Sequence, residues 1–199
     1  MKIISFEGCI GAGKTSLTNY FSYELKIPKI LEGYEKNPFL KEFYEKKDVN
    51  LETETTFLLI HYYQLKNAIN QNMGDLIVCD FSIEKDLVYA KMNLNQGQLV
   101  IFEQIYNHII NEVGIPNTTI YVDLSLKILK RRIFQRGRSY EINAEHDYFI
   151  KYNDRAKDYF RNYANSKMHF LNVDDLVLDP DNPKLCMIRE LIHGVQNNG

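Results

Sequence analysis

Residues 6–15 read Phe6-Glu7-Gly8-Cys9-Ile10-Gly11-Ala12-Gly13-Lys14-Thr15. From Gly8 onward they fit G-x-x-x-x-G-K-[ST], a loop whose backbone N–H groups surround phosphates at the start of a helix. We expect Lys14 to neutralise the charge of the β- and γ-phosphates and Thr15 to ligate Mg²⁺. The pattern predicts an ATP phosphate site formed by Gly8, Cys9, Ile10, Gly11, Ala12, Gly13, Lys14, Thr15 and Ser16.

Apolar runs alternate with segments of helical period on both sides of this loop. Residues 2–6 precede it, and four further runs predict strands at 28–32, 76–80, 119–124 and 169–173. A helix follows the loop, and others are predicted at 55–71, 83–92, 99–112, 125–136, 144–163 and 182–193. The alternation predicts an α/β fold, a five-stranded parallel sheet flanked by helices, in one domain over residues 1–199.

The composition favours a small molecule as the partner. A formal net charge of −2 over 199 residues is unlike that of nucleic-acid or membrane-surface binders, so we expect neither partner. No apolar stretch approaches the roughly 18 residues of a membrane span, and we expect a cytoplasmic protein. The three cysteines, Cys9, Cys79 and Cys186, have no C-x-x-C spacing and are interpreted as reduced thiols without a metal role.

Two carboxylates stand at predicted strand ends. Asp80 ends the run 76–80 and suits a Mg²⁺ ion bound to phosphate, although a strand-end cap would look the same. Glu32 ends the second strand, where it could accept the proton of a hydroxyl nucleophile or be an ordinary exposed glutamate. The two positions predict a phosphotransferase site at the carboxyl edge of the sheet.

Several separated motifs resemble the deoxyribonucleoside kinase family, in particular the bacterial deoxyadenosine and deoxyguanosine kinases. The loop at residues 6–15 resembles the family's E-G-x-I-G-A-G-K-[ST]. Further similarities lie in Asn37-Pro38-Phe39-Leu40 with Phe43-Tyr44, in Tyr89-Ala90-Lys91-Met92-Asn93, and in Arg132-Ile-Phe-Gln-Arg136-Gly-Arg138 with Glu141. The resemblance runs from Met1 to about the last helix and implies a P-loop NTPase fold with an Arg-rich lid at about 132–142.

The resemblance implies transfer of the ATP γ-phosphate to the 5′-hydroxyl of a deoxynucleoside, with purines favoured, in nucleotide salvage. Glu32 matches the general base, although Gly33 stands where the family usually has proline. Arg132 and Arg138 match catalytic lid arginines and Arg136 an ATP ligand. A basic, solvated helix is the alternative, but the glycine between Arg136 and Arg138 favours a lid. The resemblance also implies a homodimer built on helices such as 99–112, with an apolar stripe at Ile101, Ile105, Ile109 and Val113.

The acceptor residues follow from the same resemblance. Tyr44 and Glu141 match the pair around the sugar 3′-hydroxyl. Glu54, His61 and Asp86 match the residues that read the base, where the family usually has Gln at the first position and Arg at the second. An ionised Glu54 would favour deoxyguanosine, because guanine offers two adjacent donors, whereas a protonated Glu54 would accommodate adenine.

One departure from the family leaves alternatives open. Phe81 follows Asp80, whereas the family has D/E-R-S with an arginine that binds the 5′ end of the acceptor. Either a lid arginine compensates, or the rate is low, or the acceptor differs. A nucleoside monophosphate kinase of the thymidylate type should also carry an arginine after Asp80, and a non-catalytic nucleotide-binding relative is the third alternative.

Overall fold

The computed structural model of the protein describes residues 1–136 and 146–197, except the side chains of Arg136, His146 and Asp147. Its strands are β1 (Lys2–Glu7), β2 (Lys29–Ile30), β3 (Leu76–Cys79), β4 (Thr118–Asp123) and β5 (Lys167–Asn172). They form one sheet in the order β2-β3-β1-β4-β5, and every neighbouring pair is parallel. The predicted five-stranded parallel sheet is confirmed.

The helices cover both faces of this sheet. They are α1 (Lys14–Leu25), α2 (Leu40–Tyr44), α3 (Asn50–Asn70), α4 (Glu84–Asn93), α5 (Gln96–Val113), α6 (Leu126–Arg136), α7 (His146–Asn162) and α8 (Pro183–Asn197). Sequence periodicity located all of them except α2, which is too short to show a period. Within the two described ranges, no helix is long and apolar enough to cross a bilayer.

The second strand is shorter than the predicted range 28–32. Lys29 and Ile30 pair with Val78 and Cys79 of β3, and the chain then leaves the sheet. The strand ends early because the backbone N–H of Glu32 donates to Oδ1 of Asp80 at 2.6 Å and not to a backbone carbonyl of β3. Glu32 therefore stands just beyond the sheet edge and is held there by a carboxylate.

Successive residues of β1 enter two separate apolar cores. Ile3 packs in a cluster with Leu58 of α3 and Phe102 of α5, whereas Ile4 and Phe6 pack in the other cluster, with α1, α7 and α8. Alternation along a strand sends neighbouring side chains to opposite faces, so both faces of the sheet are buried. The sheet is thereby fixed between helices, and only its ends remain for a site.

The predicted apolar stripe on α5 does not form one exposed face. Ile101 is 52% exposed, but Ile109 and Val113 are buried in the chain's own core. A helix turns about 100° per residue, so positions four apart drift by about 40° and the stripe rotates by about 120° between Ile101 and Val113. Exposed apolar side chains occur instead at Val100 and Ile101 of α5 and at Leu59 and Tyr63 of α3.

Candidate active site

A cavity of about 720 Å³ opens at the carboxyl ends of β1, β2 and β3. The phosphate loop forms one side of it, and the first turn of α4 and the N-terminal half of α3 form the other. Gly8 has φ of 144°, and a Cβ there would lie 2.4 Å from the carbonyl oxygen of Val122, so only glycine fits against β4. The predicted loop and the two predicted strand-end carboxylates thus surround one space.

Asp80 connects the phosphate loop to Glu32. Thr15 Oγ1 donates to Asp80 Oδ2 at 2.6 Å, and the other oxygen accepts the backbone N–H of Glu32. The Lys14 side chain folds back over the loop, and its Nζ donates to the carbonyls of Gly8 at 2.7 Å and Cys9 at 3.2 Å. A hydroxyl beside a carboxylate supplies the hard oxygen ligands that Mg²⁺ prefers, so Thr15 and Asp80 fit that ion.

Glu7 is a site residue that the sequence analysis did not single out. Its fully buried carboxylate accepts the backbone N–H of Gly8 at 2.8 Å and that of Ser82 at 3.0 Å. Burial raises its pKa, and Lys85 and Lys14 partly oppose this effect. Glu7 ties the loop to the segment after Asp80. Its position at the end of β1, directly before Gly8, was the available signal.

Glu32 lines the cavity, and its carboxylate lies beside the ammonium of Lys85 and the imidazole of His61. Nζ of Lys85 lies 2.5 Å from Glu32 Oε1, and Nε2 of His61 lies 3.6 Å from the same oxygen. Burial alone would raise the pKa of Glu32, but Lys85, then His61 and Lys14, hold it well below its ordinary value. The Glu32 carboxylate is therefore ionised and oriented.

Lys85 is the second functional residue that the sequence analysis missed. It lies in the first turn of α4, lines the cavity and is 5% exposed. Burial lowers its pKa, but Glu32, Glu7 and Asp86 raise it above the ordinary value, so the ammonium is charged. The sequence shows that Lys85 follows Asp80 by five residues. It does not show that this lysine is buried, because buried lysines are rare.

His61 lies behind the residues that line the cavity, and its expected contact with a base stays a prediction. It is fully buried, and its Nδ1 lies 2.8 Å from Oδ2 of Asp86, a residue that does line the cavity. Its ring stacks on Phe81 with centroids 4.2 Å apart. Burial lowers the pKa of His61, but Asp86 and Glu32 more than reverse this effect. The imidazole is hydrogen-bonded to Asp86, whereas its Nε2, 3.6 Å from Glu32, makes no hydrogen bond to a described residue.

Glu54 lies on α3 in the deeper part of the cavity. Asn93 Nδ2 donates to Glu54 Oε1 at 2.7 Å and to the hydroxyl of Tyr148 at 3.0 Å. Burial raises the pKa of Glu54 to about 8, and nearby Asp86 adds to this while Asn93 and Lys85 oppose it. Tyr44 also lines the cavity and packs edge-on against Tyr148, with ring centroids 6.5 Å apart. Asn93 and Tyr148 reach the site only through tertiary packing.

Of the predicted lid residues, Arg132 can be placed. Its Nη1 donates to the carbonyl of Ala12 at 3.0 Å, which sets the guanidinium against the phosphate loop. The side chain of Arg136, together with Arg138 and Glu141, lies outside the described residues. The roles expected for those three residues and for the lid at about 132–142 stay predictions.

The sequence and the fold both match known nucleoside kinases. The family model described as "Deoxynucleoside kinase" matches residues 4–192. A deoxyguanosine kinase of Bacillus subtilis is 35% identical over 148 residues, which is 73% of this chain and 72% of the relative. A deoxyadenosine kinase of Lactobacillus acidophilus is 32% identical over 193 residues, which is 88% of this chain and 87% of the relative.

A solved structure extends the match to the fold. The structure of deoxyadenosine kinase from M. mycoides with bound dATP aligns with a TM-score of 0.80 at 23% identity, covering 96% of this chain and 99% of that chain. The predicted P-loop NTPase fold is confirmed by this match.

We predict that His61→Ala destabilises the protein by about 3 kcal/mol, because it leaves the buried Asp86 carboxylate unpaired. Urea unfolding at neutral pH measures the difference. His108→Ala removes an exposed histidine of α5 and should change the free energy of unfolding by less than about 0.5 kcal/mol. Equal effects of the two substitutions would contradict the pairing role of His61.

Proposed function

Because the chain belongs to the deoxynucleoside kinase family, we propose that this site phosphorylates the 5′-hydroxyl of a purine deoxynucleoside, with Glu32 as the base. The protein is an ATP-dependent deoxynucleoside kinase of nucleotide salvage. One observation supports the role of Glu32 above the others. The Asp80 carboxylate bonds Thr15 of the phosphate loop and the backbone of Glu32 at once, so the base stands beside the γ-phosphate position.

The reaction balances without any other proton acceptor. The 5′-oxygen attacks the γ-phosphorus as the bond from that phosphorus to the β–γ bridging oxygen breaks, and ADP leaves with the electron pair. The hydroxyl proton passes to the Glu32 carboxylate. Phosphoryl transfer has a loose transition state in most analyses, so the proton leaves late and a weakly basic, ionised carboxylate is sufficient.

The phosphate loop supplies binding and charge stabilisation. Lys14 would exchange the carbonyls of Gly8 and Cys9 for β- and γ-phosphate oxygens. Thr15 and Asp80 would hold Mg²⁺, which neutralises phosphate charge when bound. We assign Arg132 and Arg138 to the transferring phosphoryl group and Arg136 to ATP, and the contact of Arg132 with Ala12 supports the first assignment.

The alternatives have less support. A thymidylate-type enzyme should carry an arginine directly after Asp80, and Phe81, which is 1% exposed, counts against it. A non-catalytic relative would not need Lys14, Thr15, Glu32 and Asp80 assembled around one cavity. The acceptor in an ATP-dependent assay, nucleoside or nucleotide, separates the first alternative from our proposal.

Glu54 is proposed to read the base, with Asp86 beside it and Tyr44 and Glu141 at the sugar. Asn93 engages Oε1 of Glu54, so the proton of the neutral form belongs on Oε2. A protonated Glu54 presents a donor beside an acceptor and fits either adenine or guanine. An ionised Glu54 presents acceptors alone and fits only the adjacent N1–H and N2–H₂ donors of guanine. The base preference of the enzyme should therefore depend on pH.

We also propose a homodimer through α3 and α5. These two helices pack against each other, and both expose apolar side chains, namely Leu59, Tyr63 and Ile69 on α3 and Val100 and Ile101 on α5. We infer that these side chains form a shared apolar surface, of the kind that is typical of protein interfaces. We further propose a single domain, supported by the family match over 4–192, that acts in the cytoplasm, where its free cysteines would stay reduced.

Glu32→Gln should lower kcat by about a hundredfold or more with ATP affinity little changed, because an amide cannot accept the hydroxyl proton. Steady-state phosphorylation of deoxyadenosine and deoxyguanosine, with equilibrium ATP binding, measures both quantities. Glu52→Gln, an exposed glutamate on α3, is the control and should keep the wild-type kcat. A kcat of the Glu32→Gln enzyme within about threefold of wild type would place the base elsewhere.

The ratio of kcat/KM for deoxyguanosine to that for deoxyadenosine should rise roughly tenfold or more between about pH 6.5 and about pH 9, as Glu54 loses its proton. Glu54→Gln is the matched control, because its amide does not titrate, and it also corrects for ionisation of the base. A ratio that varies equally in both enzymes would remove Glu54 from base selection.

Ile101→Asp should convert the dimer into a monomer, because it buries a charge without a partner in the interface. Sedimentation at micromolar concentration reports the mass. Tyr23→Asp alters a side chain that is 89% exposed on α1 and should leave the dimer intact. A monomeric wild-type protein would refute the interface.

A further inference from the structure

Residue 81 cannot supply a cation to the acceptor side of this site. The Phe81 side chain is buried against His61 and belongs to the apolar core between α3, α4 and α5. The reaction nevertheless places negative charge beside Glu32, first on the transferring phosphoryl group and then on the 5′-phosphate of the product. A cation at this point would stabilise both species.

The cationic side chains at the phosphate loop are hydrogen-bonded to backbone carbonyls of that loop. Lys14 binds the carbonyls of Gly8 and Cys9, and Arg132 binds that of Ala12. Lys36 lines the cavity but is exposed. Among the described residues that line the cavity, Lys85 is the cation in contact with Glu32.

The position of Lys85 follows from the turn after β3. Asp80 directly follows β3, and the Ser82 hydroxyl caps the next turn by accepting a hydrogen bond from the N–H of Glu84. Lys85 lies in the first turn of α4. Its Nζ lies 5.9 Å from the centroid of the Phe81 ring. The ammonium thus lies beside Glu32 in the cavity, on a residue one helical turn further along the chain than Phe81.

We propose that Lys85 is a catalytic residue whose ammonium binds the 5′-oxygen of the acceptor and the phosphoryl group that this oxygen receives. The inference rests on Glu32 being the base. Helix α4 then supplies, from its first turn, the positive charge that residue 81 lacks.

The charges balance at each stage. Before transfer, the ammonium pairs with the Glu32 carboxylate and orients it towards the acceptor hydroxyl. When Glu32 takes the hydroxyl proton, its carboxyl group becomes neutral and its hold on Lys85 weakens. The new O5′–P bond forms at the same time and brings phosphate charge to the same place. The Lys85 ammonium therefore exchanges the Glu32 carboxylate for the new 5′-phosphate as its partner and stays in the cavity.

The test compares substitutions at Lys85 with a lysine of the same helix. Lys85→Met should lower kcat by about a hundredfold or more with the KM for ATP little changed, because a positioned charge is lost in the transition state. Lys85→Arg keeps the charge and should retain kcat within about tenfold. Lys91→Met, at an exposed position of α4, should behave as wild type.

The pH profile separates catalysis from a structural role. Lys85 is the strongest of the groups that lower the pKa of Glu32, so Lys85→Met should move the acidic limb of kcat/KM to higher pH. Lys85→Gln provides a second variant without the charge, should the methionine variant fail to fold. Phe81→Arg in the Lys85→Met background should recover at least about tenfold in kcat, because it returns a cation from the neighbouring turn.

The outcomes distinguish this inference from the proposed base. An active Glu32→Gln enzyme would overturn the base itself. A nearly inactive Glu32→Gln enzyme, together with Lys85→Met or Lys85→Gln variants of wild-type kcat and unchanged acidic limb, would overturn the role of Lys85 alone.

Discussion

The carboxylate of Asp80 is the interaction on which the site depends. One oxygen accepts the hydroxyl of Thr15 at the start of α1, and the other accepts the backbone N–H of Glu32 beyond β2. Because β2 ends after Ile30, the segment that carries Glu32 needs this side-chain acceptor to stay at the edge of the sheet. A single buried group therefore sets the distance between the phosphate loop and Glu32, and the order β2-β3-β1 makes this contact possible.

Around that contact the site holds several ionisable groups at low exposure, and their charges are paired. Glu32 lies between Lys85 and His61, and His61 in turn pairs with Asp86. Removing one member of such a set leaves a charge without a partner, which costs more than the pair itself contributes. Phe81 fits this arrangement because its ring stacks on the imidazole, leaving the cavity surface to Lys85.

The pKa of Glu54, elsewhere in the cavity, is set by a different balance of burial and charge. Glu54 has an amide partner in Asn93 and lies near the like charge of Asp86, so burial dominates and its pKa rises to about 8. Glu32, with the same side chain, has its pKa held low by Lys85 and His61. Two glutamates in one cavity thus carry different charges at neutral pH, which suits one to accept a proton and the other to present one.

The sequence by itself determined the parallel sheet, the positions of the longer helices and the phosphate loop, because apolar periodicity and a contiguous motif are local properties of the chain. It also indicated Glu32 and Asp80, which stand at or just beyond strand ends. Only the tertiary structure showed that Lys85 contacts Glu32 and that Asn93 contacts Glu54. It also showed that His61 is buried beside Asp86 and that Ile109 and Val113 pack in the core. Contacts between distant segments and the loss of solvent around a charge arise from packing, so neither can be predicted from the spacing of residues along the chain.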